Sequence, residues 1–182
     1  MIVVLKIEVI RKVKIVDPVT GKTVLETEKR IDPDKDPTIS VNSALLRILH
    51  VMLGGDDPAG VFTQSNLQGH TVKAPEDNDD YGILFFDNNG NQLEQGTLDY
   101  GATTIEWVED SDYYNINVKR SAQNISGSDV TIDQAALFGY APNINSGTYG
   151  VLVSVTGEGI TLADQNIIYY TITIRIAKNI TV

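Results

Sequence analysis

Residues 3–15 read Val3-Val4-Leu5-Lys6-Ile7-Glu8-Val9-Ile10-Arg11-Lys12-Val13-Lys14-Ile15. Val3, Leu5, Ile7, Val9, Val13 and Ile15 fall on one side of a two-residue period, and Lys6, Glu8, Lys12 and Lys14 fall on the other. Successive side chains of a strand point to opposite faces, so this alternation predicts a half-buried β-strand. The run is much longer than the usual strand of about five or six residues, so it either bends across two sheets or reaches beyond its own domain. Arg11 lands on the apolar side and is expected to mark a bulge.

Asp17-Pro18-Val19-Thr20-Gly21 supplies turn chemistry, with proline fixing φ and glycine accepting φ > 0. Lys22 to Arg30 then returns as a second strand, which brings Glu26 and Glu28 back beside Lys12 and Lys14. Residues 1–35 are therefore expected to form an N-terminal hairpin or arm, and residues 36–182 a separate body.

Asp32-Pro33-Asp34-Lys35-Asp36-Pro37 is a loop, since both prolines lack a donor N–H. One short helix is expected over about 41–53. Ser40 stands as its N-cap, Val41, Ala44, Leu45, Ile48, Leu49 and Met52 share a face, and Gly54-Gly55 stops it. Ser43, Arg47 and His50 line the opposite face, which makes His50 a solvated residue. The long loop 54–80, with its acidic run Glu76-Asp77-Asn78-Asp79-Asp80, is the expected partner-contact loop.

Beyond it the pattern is β throughout. Strands are predicted at Tyr81 to Phe86, Thr103 to Val108, Tyr113 to Arg120, Val130 to Phe138, Tyr149 to Val155 and Ile167 to Ile176, divided by Gly/Asn/Ser clusters at 121–129, 139–148 and 157–166. Asp87-Asn88-Asn89-Gly90-Asn91 reads as a hairpin turn. Many short strands and a single helix give a mainly β fold class, an antiparallel β-sandwich, jelly-roll-like, rather than βαβ units.

The 182 residues carry 14 Lys+Arg against 24 Asp+Glu, a formal charge of −10, with no cysteine and two histidines. Absent cysteine excludes disulfides, thiolate nucleophiles and iron–sulfur clusters. His50 and His70 alone do not make a multi-histidine metal site. An acidic chain repels phosphate backbones, so direct nucleic-acid binding is not expected. The charge is uneven: residues 1–35 hold eight cations and six acids, a local +2, and the remainder carries −12. Such a split favours the hairpin lying on an acidic body, its own or a neighbour's, or it is simply a basic surface hairpin.

Met1 opens directly into Ile2-Val3-Val4-Leu5 and then Lys6, without the pattern of a cleavable signal. Apolar runs such as Ile83-Leu84-Phe85-Phe86 fall far below the roughly 18 residues of a membrane helix. Expression in the cytoplasm with no membrane partner is expected, and the sequons Asn124-Ile125-Ser126 and Asn179-Ile180-Thr181 are read as chance.

Candidate chemistry is thin. Asp32, Asp34 and Asp36 share the spacing that opens an EF-hand loop, but the sixth residue is Pro37 and the twelfth Ser43, so the sharp turn and closing carboxylate are missing. Glu106, Glu109 and Asp112 flank the only tryptophan, Trp107; a glycosidase needs two carboxylates facing each other across a groove, which proximity in sequence does not supply. Gly21-Lys22-Thr23 lacks the upstream glycine of a P-loop. No catalytic residue, cofactor or metal site is expected. Eight of the aromatics are tyrosine, and Tyr113-Tyr114 and Tyr169-Tyr170 place one ring on each strand face, which suits surfaces partly buried against another protein.

The stretch from Arg120 through Asn124-Ile125-Ser126-Gly127-Ser128-Asp129-Val130-Thr131-Ile132 to Ala136-Leu137-Phe138 resembles an "N-x-SG-x-x-VTI…A-L-F" segment of structural proteins of tailed phages and related archaeal viruses. Ile160 to Ile174, with Tyr170-Thr171-Ile172, is similar to their closing strand, and the segment ending Leu53-Gly54-Gly55 is similar in position. The resemblance implies a non-enzymatic virion component, made in the host cytoplasm and located in the virion, that packs with copies of itself and other virion proteins as capsid, turret or tail. The long N-terminal hairpin departs from that pattern. The expected assembly interface comprises Val3, Leu5, Ile7, Val9, Val13, Ile15, Tyr113 and Tyr169. Alternatives are an exported pilus or adhesion subunit polymerising by strand donation, and a carbohydrate-binding sandwich using Trp107.

Overall fold

The structure, a computed structural model, describes residues 6–42, 82–142 and 147–178. Among the described residues ten strands form two antiparallel sheets. In the first, β2 (Thr23–Ile31), β1 (Ile7–Val16), β10 (Ile167–Ala177) and β7 (Tyr113–Asn124) follow one another, and β5 (Leu98–Tyr100) and β6 (Thr104–Glu109) share the far edge of β7. In the second the order is β3 (Ile39–Val41), β9 (Gly147–Leu162), β8 (Val130–Pro142) and β4 (Gly82–Phe86). This is the mainly β, antiparallel sandwich that the alternation predicts. β1 and β2, like β8 and β9, are consecutive neighbours within one sheet, and the jelly-roll part of the expectation finds no support in this order.

The alternation decides what lies between the sheets. Val9, Val13 and Ile15 from β1, Ile168, Tyr170, Ile172 and Ile174 from β10, and Ile116 and Val118 from β7 point inward and are buried. They meet Ile83 and Phe85 of β4, Ile132 and Leu137 of β8, and Val153 and Val155 of β9 in one continuous core. The Phe85 ring sits edge-on to Tyr170 with centroids 5.5 Å apart, an arrangement that aromatic quadrupoles favour. Burial of this apolar surface is the main stabilising term of the fold.

Several expectations are corrected. Ser40 and Val41 are strand residues, paired with Ser154 and Val153 of β9, and do not open a helix; residues 43–53, where the rest of that helix was expected, and the loop 54–80 lie outside the described residues. Arg11 sits opposite Ile172 in an unbroken ladder, and the irregularity of the hairpin falls at Ile15/Val16 instead. β1 is an inner strand, paired over its whole length with β10 and on its other side with β2, so the hairpin is built into the sheet instead of standing off as an arm. β7 runs on to Asn124 and β9 to Leu162, through stretches read as loops, and β5 was not foreseen.

The β1–β2 turn follows its residue types. Asp17 accepts N–H bonds from Val19 and Thr20 and the Thr20 hydroxyl, and Gly21 takes φ = 69°, which a side chain would resist.

Candidate functional site

The expected interface residues are dispersed. Val3 and Leu5 lie outside the described residues. Val9, Val13 and Ile15 are buried in the chain's own core and have no surface to give a neighbour, and Ile7 is half-buried against that core. Tyr113 and Tyr169 do share the outer face of the six-stranded sheet, but Tyr113 stands opposite Ala177 and Tyr169 opposite Ser121. Eight residues of β10 separate them, roughly 27 Å at the rise of an antiparallel strand. They do not form one patch.

That outer face is a lattice of charges. Glu8 pairs with Arg175 at 2.7 Å, Lys12 with Glu28 at 3.3 Å and Lys119 with Glu106 at 3.3 Å. Arg175 also donates to Asn115 and lies over the Tyr113 ring, 3.9 Å from its centroid. Two open clefts indent this side. One, about 600 Å³, is lined by Lys6, Glu8, Arg30, Asp32, Lys35 and Tyr113, and the other, about 500 Å³, by Lys12, Lys14, Glu26, Glu28, Tyr169 and Thr171. Both mix cations with carboxylates.

The other candidate groups are held in structural roles. Asp32 accepts the Asp34 N–H and pairs with Lys35 at 3.0 Å, while Asp36 accepts the Thr38 N–H and hydroxyl and pairs with Lys29 at 3.0 Å. The Thr38 and Lys29 bonds hold the Asp36 carboxyl down to about 2. Among the described residues no three such groups are placed to hold a metal ion. Glu106 stands opposite Asn117 on the outer face and Glu109 opposite Tyr114 on the inner side, so this pair does not face across a groove; Glu109 pairs with Lys178. Trp107 stacks on Tyr114 with centroids 5.1 Å apart. Among the described residues no helix is long and apolar enough to cross a membrane.

The sequence reading missed the buried polar partners Glu158, Arg120 and Asn124. Arg11 and Glu158 form an ion pair 2.7 Å long between the sheets, their side chains 11 % and 3 % exposed, and Arg11 also donates to the Thr27 hydroxyl. The Tyr170 hydroxyl lies beside this pair without a hydrogen-bond partner among the described residues, and burial pushes its pKa well above the usual tyrosine value. Arg120 donates to the carbonyls of Gly101 and Ile83 and covers the Tyr100 ring, tying β7 to β4. Asn124 donates to the Ser128 and Leu162 carbonyls and accepts from the Ser126 N–H and hydroxyl, so its amide is spent inside the fold. Gly127, at φ = 81°, donates to Asp164. The residues that carry the resemblance thus fasten the β7–β8 turn to the β9–β10 turn. Arg120 and Asn124 continue the inward alternation Ile116, Val118, Ala122, which was the available signal for both.

The remaining feature is an edge. Among the described residues β2 is hydrogen-bonded on one side only, to β1, and eight of its nine residues are exposed. No protein-family model, no curated protein and no solved structure matches the chain.

Proposed function

We propose that this protein is a non-enzymatic structural subunit that assembles with copies of itself through its sandwich edges, as a capsid, turret or tail component of a virion. The virion class rests on the resemblance of residues 120–138 and 160–174. The single observation that supports assembly is the β2 edge, which no strand among the described residues covers. A nine-residue strand with open N–H and C=O groups is a template for pairing, and proteins that do not use such an edge shorten it, cover it, twist it or line it with charge. The buried ionisable groups Arg11, Glu158 and Arg120 are engaged in joining the two sheets, which suits a scaffold. Polymerisation by donating β1 has less support, since β1 is held from both sides within its own sheet.

Electron microscopy of the purified full chain tests the reading. Rings, shells or filaments of uniform repeat are expected. A field of isolated small particles at every concentration overturns it.

A further inference from the structure

We infer that the β2 edge is a two-fold contact in which β2 of one protomer pairs antiparallel with β2 of a second copy, centred on Glu28. The inference rests on the assembly reading and names the surface that it uses.

Charges on an edge strand ordinarily oppose pairing. Here their order matters. β2 carries its acids, Glu26 and Glu28, before its bases, Lys29 and Arg30, so an antiparallel copy brings acid against base. Register follows from three observations. The ladder of β2 with β1 is regular from Leu25 to Ile31, and the irregularity lies at the Ile15/Val16 end, so the usable strand has Glu28 at its midpoint. A continuous sheet related by a two-fold axis keeps each side chain opposite one on the same face. Centring on Glu28 therefore sets Glu26 against Arg30 twice on the outer face, and Leu25 against Ile31 twice on the inner one. Among the described residues Glu26 takes part in no ion pair, and Arg30 reaches Glu8 only at 4.0 Å. Glu26 and Arg30, neither held by a close ion pair among the described residues, are the two charges that this register brings together. Glu28 meets its own copy at the axis, where Lys12 at 3.3 Å in each protomer offsets the repulsion. Leu25, 36 % exposed, comes to lie beside the strand end at Ile31, whose side chain is already buried in its own protomer.

A seven-residue ladder is a small contact, so association is measured up to roughly 100 μM protein. The chain has no cysteine, which makes single-cysteine variants clean reporters. Directly opposed residues of an antiparallel pair are about 4.5–5.5 Å apart at Cβ, so Glu28→Cys is expected to form an intermolecular disulfide under mild oxidation. Glu26→Cys, displaced from its own copy by four residues, is expected to cross-link at under a tenth of that yield.

Glu26→Arg and Arg30→Glu each create two like-charge pairs and are expected to weaken self-association by about tenfold or more. An equimolar mixture of the two restores both opposite-charge pairs in the mixed dimer, and its affinity is expected to return to that of the unmodified chain. Unchanged circular dichroism of each variant establishes that it folds. Equal cross-linking at positions 26 and 28, or a mixture that binds no more tightly than either variant alone, overturns the Glu28-centred edge. If assemblies persist unchanged in both charge variants, the edge assignment falls and the assembly reading stands. If the unmodified chain does not associate, both fall.

Discussion

At the scale of single residues, the Arg11–Glu158 pair is the most consequential arrangement. Desolvating two charges is costly, and their attraction repays it only while both are present. Glu158→Ala is therefore expected to lower unfolding free energy by about 3–5 kcal/mol, because a buried guanidinium loses its counter-charge. The double variant Arg11→Met with Glu158→Leu is expected to recover most of that loss, since an apolar pair of similar volume needs no desolvation. Urea unfolding of the unmodified chain, Glu158→Ala and the double variant checks both statements, and a double variant no more stable than Glu158→Ala would contradict them. The pair also shows where single-residue reading stops. A cation on the apolar side of β1 was visible, but its partner lies 147 residues away, so local pattern offered a bulge where the fold supplies an ion pair. Separations of 37 and 38 residues likewise hid the carbonyls that Arg120 and Asn124 satisfy, at Ile83 and Leu162.

At the scale of elements, β1 is part of the core. Deleting residues 1–16 removes Val9, Val13, Ile15 and the partner of Glu158, and uncovers the edge of β10. The truncated chain is expected to lose its cooperative thermal transition and its native circular dichroism; a folded, soluble remainder would show the hairpin to be separable. The turns between elements set the response to acid. Asp36 is held down to about 2 from an ordinary 3.8 by the Thr38 hydroxyl and N–H and by Lys29. Asp17 is lowered first by the Thr20 hydroxyl, Asp32 by Lys35, Asp87 by the Asn91 N–H and Asp110 by the Asn115 amide. A carboxyl with a lower pKa folded than unfolded contributes stability above its unfolded value, and that contribution is lost as pH falls through its folded value. Melting temperature is therefore expected to decline between about pH 4 and 2, and Asp36→Asn to flatten part of that decline. Strands with clean alternation were legible. β5 was not, because three residues carry no period, and the extension of β7 through Ser121, Gln123 and Asn124 was masked by residue types common in loops.

At the scale of the whole molecule, the net charge of −10 concealed a basic hairpin and an acidic remainder, and the fold gives that split a location. The hairpin forms one edge of the six-stranded sheet, with Lys12 beside Glu28 and Lys14 beside Glu26 on its outer side. The fold class followed from periodicity because burial on one face is what alternation encodes. The assembly surface did not follow. An apolar stripe in sequence reports what is buried, and in β1 it is buried within the chain itself, whereas an unpaired edge is a property of sheet order, which depends on the strands at 113–124 and 167–177. The central claim is that copies of this chain associate, and sedimentation velocity of the unmodified full-length protein over a concentration series tests it most directly. Species heavier than the 19.9 kDa chain, growing with concentration, are predicted; a single 19.9 kDa species throughout would contradict the account.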